Sequence, residues 1–366
     1  MAKNTEDKYY TFRRFIGKTL FIVGLYPSKA TSKFYCLVPY INILFHAYFS
    51  LGIFFFILSN IKNLLLVISV SSALVSQTVS IMKIICMLIC RDDLLELLKL
   101  SDKYFNSLKD SPRSTELFRN FSTFWYLLWI LLGTGFIVCS TGTIPPIIYF
   151  IIDKIRHTKS HHYSLPIKVA YPWLPRIEGI YYVLHWMHQT YIGVVPVILT
   201  CSVEATFSLL VFRMISELRD MSYHIAHLDE SNDQDGVIRN CTNQYVALLK
   251  CRDSIQNIFG PIILQMFISN AIQLCAGVFV LSQLSPNAIQ ITFFTAYVVT
   301  KGAQTCLCAL AGSQLITERR LQICHILYQL AGKQTTDEFG FNSTQPEAYE
   351  SGSLSLYGCL TQHFSI

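Results

Sequence analysis

The chain is 366 residues long, 52% hydrophobic and only 14% charged, with a formal net charge of +6 and a mean hydropathy of +0.40. Those values exclude an ordinary soluble globular protein and describe a polytopic membrane protein. The 12 cysteines sit mostly in or beside apolar runs and lack the paired spacing of a disulfide framework or a zinc site.

Residues 1–33 are polar and basic and show no cleavable signal, so they read as an N-terminal region before the first span. Residues 34–58 and 64–90 form spans one and two, joined by a link so short that they must be an antiparallel hairpin. Beyond Arg91 the chain turns polar, yet Leu94, Leu97, Leu98, Phe105 and Leu108 keep a helical stripe that continues span two outside the membrane. Residues 121–152 are an uncharged run longer than a bilayer needs, and Pro145 and Pro146 are expected to kink or stop span three. The loop from Asp153 to Ile180 holds three prolines and the aromatics Tyr171 and Trp173, and Tyr181 and Tyr182 follow at the start of span four, a cluster that suits a membrane interface.

Span four covers residues 181–212, and its pattern runs on through Ile215, Leu218, Met221 and Ile225. After an acidic, turn-rich loop at 229–236, residues 241–257 are amphipathic, with Cys241, Tyr245, Leu248, Leu249 and Ile255 at three-four spacing. Gly260 and Pro261 mark the passage into span five, residues 258–284, which carries no charge. Span six is 288–312. The expected organisation is an N-terminal region 1–33, an all-α membrane bundle 34–330 with helical extensions, and a flexible polar tail 331–366.

Lys and Arg are concentrated on the side of the N-terminus, which places that end in the cytoplasm. The glycosylation sequons at Asn120, Asn240 and Asn342 then stay on the inner side, unmodified. Three charges fall inside spans. Lys83 and Glu204 lie at similar depth from the inner ends of spans two and four and can pair, or Lys83 can snorkel; Lys301 is deeper. The histidines His157, His161 and His162, with His185/His188 and His224/His227 at i, i+3, raise a di-iron membrane oxidase as the enzyme alternative. Because the first three and the last pair fall on opposite sides, they cannot converge on one metal. The expectation is no enzyme, no metal and no cofactor.

The run CTNQYVALLKCRDSIQNIFGPIILQMFISNAIQLC, Cys241 to Cys275, resembles the segment entering the fifth helix of insect odorant receptors of the expanded hymenopteran type. Tyr171 to Trp173 (YPW), ELRDMSYHIAHL at 217–228, and KGAQTCLCALAGSQLITERR at 301–320 followed by Tyr328 agree in order. The resemblance implies an odorant-gated cation channel subunit in the plasma membrane of a sensory neuron, with a cytoplasmic N-terminus. It implies hetero-oligomeric, tetrameric assembly with the odorant-receptor co-receptor, a small volatile ligand, contact with lipid, and no nucleic acid. The polar helical extensions suit such a partner, and Tyr245, Leu248, Leu249 and Ile255 are the expected assembly surface.

A pocket for volatile, mostly apolar molecules needs aromatic and aliphatic walls with few polar groups. In the outer halves of spans two, three, four and six the candidates are Ser72, Ser76, Phe136, Tyr149, Tyr182, Trp186, Gln189, Tyr191, Phe294 and Tyr297. The resemblance also implies a seventh, pore-lining span after residue 330. Residues 332–366 hold no apolar run near the ~18 residues a span needs, so the expectation is a subunit without it. A gustatory-type chemoreceptor, a truncated non-conducting isoform and a transporter-like bundle are the rival readings. No internal repeat supports the last.

Overall fold

The computed structural model describes residues 2–26, 33–108, 121–155, 165–171, 179–227, 234–283 and 288–339. They form α1 (Ala2–Val23), α2 (Lys33–Ser59), α3 (Leu64–Ile89), α4 (Arg91–Leu108), α5 (Phe121–Ile155), α6 (Ile180–Ala226), α7 (Gln234–Gln283) and α8 (Ala288–Phe339). Among the described residues α2, α3, α5, α6 and α7 are long and apolar enough to cross a membrane. The protein is therefore a polytopic, all-helical membrane bundle. The expected sixth span lies in α8, which is more polar because Gln290, Lys301 and Gln304 interrupt it.

The N-terminal region is not a plain polar tail. Tyr9, Phe12, Ile16, Leu20 and Val23 recur at helical spacing, and all five are buried, packing α1 against α6. The helix stops in a Schellman motif: Leu25 N–H bonds the Leu20 carbonyl at 2.8 Å and Gly24 N–H the Phe21 carbonyl at 3.1 Å. Gly24 has φ +83°, and a Cβ there would lie 2.8 Å from Val38 Cβ, so both conformation and space call for glycine. Asn42 of α2 donates to the Val23 carbonyl at 3.1 Å, locking the end of α1 against the first span.

The prolines do not end the third span. α5 runs through Pro145 and Pro146 to Ile155. Carbonyls beside the proline pair find donors on α6: Trp186 Nε1 bonds Thr143 O at 3.0 Å, and Tyr182 Oη bonds Pro146 O at 3.3 Å. These bonds tie α5 to α6 around the proline pair. Likewise α7 is continuous through Pro261, joining the amphipathic stretch to its span. α3 breaks at Cys90 before α4, and α8 stays helical to Phe339, past the boundary expected near 330. Residues 340–366, Trp173, His157, His161, His162, Asn120 and Asn342 lie outside the described residues.

α6 is the central helix, buried on all sides from Cys201 to Ile215. The main core surrounds it in the half toward α1, α4 and the first turns of α5. The other half holds only a satellite cluster of Phe49, Ile53, Val70 and Ile192, covered by Ile167 and Val169 of the connecting loop. One end of the bundle is thus closely packed and the other is not. The proposed orientation puts the looser end outside.

The α7 stripe expected to face a partner is closed within the chain. Leu248 and Ile255 are 4% and 6% exposed, and Tyr245 and Leu249 are half-buried. They share one face with Cys241, Cys251 and Ile258, which joins the main core around α6. Val246 and Ile238 are the exposed apolar residues there.

Candidate functional site

The ten candidate pocket residues separate into three groups. Ser72, Ser76, Tyr297 and Phe294 come together where α3, α7 and α8 meet. Their common partner is Gln273 of α7, which sequence reasoning missed. Its Nε2 donates to Ser76 Oγ at 3.1 Å and to the Ser72 carbonyl at 3.4 Å, while its Oε1 accepts from Tyr297 Oη. Gln273 is wholly buried. Phe294 covers the site by lying on Gly277, where a Cβ would come within 2.2 Å of its ring. The result is a small polar centre, rich in both donors and acceptors, with aromatic walls inside an apolar bundle.

The second group holds the helices and loop in place. Tyr182 and Trp186 bind α5 as described. Gln189 clamps the connecting loop, accepting from Ile167 N–H at 2.9 Å and donating to its carbonyl at 3.1 Å. Tyr191 Oη donates to Asn42 on α2. The third group points away: Phe136 and Tyr149 are exposed, on an α5 surface that also presents Ile144 and Ile148. They line no interior site, because α5 is apolar on nearly every face and packing alone decides which face turns inward.

A second cluster lies under the loop. His188 meets Phe45 and Tyr48 edge-on at 5.4 Å each, while Tyr171 stacks on Tyr48 at 4.7 Å and on His185 at 5.1 Å. Neither imidazole nitrogen of His188 makes a hydrogen bond among the described residues. His46 bonds Gln77 through Nδ1 only. No group of three or more potential metal ligands occurs among the described residues.

Below the Gln273 centre, α8 carries a polar stripe at helical spacing, Tyr297, Lys301, Gln304 and Cys308. Lys301 Nζ lies 5.5 Å from the centroid of the Tyr297 ring. Gln304 Nε2 donates to Glu204 Oε1 at 2.9 Å and Cys308 Sγ to Oε2 at 3.2 Å. Lys83 reaches the same Oε1 at 3.3 Å and Thr200 Oγ1 at 3.3 Å. One polar column therefore links the site beside Ser76 to a buried ion pair deeper in the bundle. Beyond the span, Arg213 bonds Glu217 at 2.8 Å, and burial pushes the Glu217 carboxyl above its ordinary range despite that partner.

A family profile described as 7tm Odorant receptor matches residues 63–331. Among solved structures the chain is similar to the insect olfactory receptor OR5 from Machilis hrabei, at 13% identity and TM-score 0.71, with 98% of each chain covered. The same receptor in complex with eugenol matches at 14% identity and TM-score 0.68, covering 88% of this chain and 89% of that one. No curated protein matches the sequence.

Proposed function

This chain belongs to the insect odorant receptor family, and on that premise we propose that it is the odorant-binding subunit of a ligand-gated cation channel. The observation that carries the reading is the centre formed by Gln273, Tyr297, Ser72 and Ser76 with Phe294. It offers hydrogen bonds in a dry, aromatic-walled setting in the loosely packed half of the bundle. A small volatile carrying one oxygen function would exchange its own hydrogen bonds for those between Tyr297 and Gln273. The olfactory receptor from Machilis hrabei, a relative in fold, forms a complex with eugenol, a small oxygen-bearing molecule.

In this reading the N-terminus is cytoplasmic, the six spans are 34–58, 64–90, 121–152, 181–212, 258–284 and 288–312, and the channel works in the plasma membrane with the co-receptor. The test is whole-cell current in cells expressing this chain with the co-receptor, presented with a panel of volatiles. Because residues 332–366 carry no apolar run to line a pore, the co-receptor lines it in this reading while this chain supplies the odorant site, and odorant-dependent currents beyond those of the co-receptor alone are expected. Their absence, with the chain present at the surface, would refute the channel assignment.

A further inference from the structure

α1 carries an open groove of about 670 Å³, lined by Arg13, Arg14, Gly17, Lys18, Phe21, Ile22 and Tyr26 and bordered by Asp102 of α4. Arg13 is held by Asp102 through two bonds of 2.8 and 3.0 Å. Arg14 and Lys18 are exposed, leaving the groove with net positive charge. Chemistry changes along its length. Arg14, Lys18 and Ile22 follow at i, i+4 and i+8 on one face of α1, so the groove turns from basic to apolar over ~12 Å.

The apolar end packs beside the first span. Phe21 and Ile22 are 55% and 60% exposed, yet Phe21 stacks on Tyr35 at 4.8 Å and Val23 is bonded to Asn42, both within the first span. Exposed phenyl and butyl groups beside a span meet hydrocarbon, and basic side chains two turns away meet the headgroup layer. A soluble anion would have no use for that apolar end, and a neutral lipid none for the two cations.

We propose that this groove is a binding site for one anionic glycerophospholipid of the cytoplasmic leaflet. Arg14 and Lys18 hold its phosphate, and its acyl chain lies along Phe21, Ile22 and Tyr26. The leaflet, though not the lipid contacts, rests on the proposed orientation. Because α1 packs directly on α6, the lipid would brace the N-terminal helix against the central one.

The test uses the purified full chain equilibrated with mixed micelles of phosphatidylcholine and phosphatidylserine, with the phosphatidylserine retained after detergent washing counted by mass spectrometry. Each basic side chain at an anionic surface contributes a factor of about five. The double variant Arg14→Gln/Lys18→Gln should therefore retain roughly twenty-five-fold less. Gly17→Leu keeps all charges and should also lose lipid: its Cβ meets only Tyr26 at 3.6 Å and Arg13 at 3.9 Å, so the longer side chain fits by occupying the groove. Arg239→Gln/Lys250→Gln, with the same charge loss on exposed positions of α7, should retain lipid as the parent does. Unchanged retention in the first two variants would overturn the site, as would an equal loss in the third. Equal competition by glycerophosphoserine or inorganic phosphate would show an anion site and overturn the lipid assignment.

Discussion

The Lys83 ammonium lies 3.3 Å from the Glu204 carboxylate, with side chains only 2% and 3% exposed, so a charge pair joins α3 to the central helix α6 inside the bundle. Buried charges are tolerated where partners and further hydrogen bonds replace water. Here Thr200, Gln304 and Cys308 supply those bonds. Removing one partner strands the other, which costs about 3–5 kcal/mol. Glu204→Gln should therefore lower the melting temperature of the purified chain sharply, whereas Lys83→Met/Glu204→Leu should recover most of the loss. A Glu204→Gln variant as stable as the parent would mean that Lys83 is solvated by another route.

The N-terminal helix is part of the core. Phe12 packs edge-on against Phe121 at 5.1 Å and Trp125 at 5.3 Å. Phe12→Ala should cost about 3–5 kcal/mol, the range for truncating a buried phenylalanine. Thermal unfolding followed by tryptophan fluorescence checks it. A loss below about 1 kcal/mol would show that α1 is detachable.

For topology, an epitope at the N-terminus should be labelled only after cells are permeabilised, because the basic residues cluster on that side. Labelling of intact cells would reverse the orientation and move the Gln273 centre to the inner half.

Assembly is expected to use the exposed side of the α7 extension. Val246→Asp should leave the chain folded and reduce its co-purification with the co-receptor. Leu248→Asp should instead prevent folding, since it places a charge in the core. Equal co-purification of Val246→Asp and the parent would exclude that face.

Long, nearly charge-free runs make five span-length helices legible, and counting residues from the span ends brings Lys83 and Glu204 to one depth. α1 was not legible by hydropathy because its arginines and lysines mask Tyr9, Phe12, Ile16 and Leu20, whose spacing was nonetheless the signal. The site was legible only in part. Phe136 and Tyr149 sit on a helix apolar all round, where the sequence carries no moment to orient a face. Gln273 is a single amide in a charge-free run, and it gains meaning only when Ser76 and Tyr297 arrive from other helices. Leu248 and Ile255 read correctly as a buried stripe, but sequence periodicity cannot say whether the covering helix belongs to the same chain.

The most direct measurement compares dose-response curves of the parent and Gln273→Leu, each with the co-receptor, for an oxygenated odorant and its hydrocarbon analogue. A hydrogen bond contributes about 0.5–1.5 kcal/mol, so the half-maximal concentration for the oxygenated odorant should rise about two- to tenfold. The hydrocarbon response should hold or improve. Equal shifts for both ligands, or none for either with surface expression unchanged, would contradict recognition at the centre formed by Gln273, Tyr297 and Ser76.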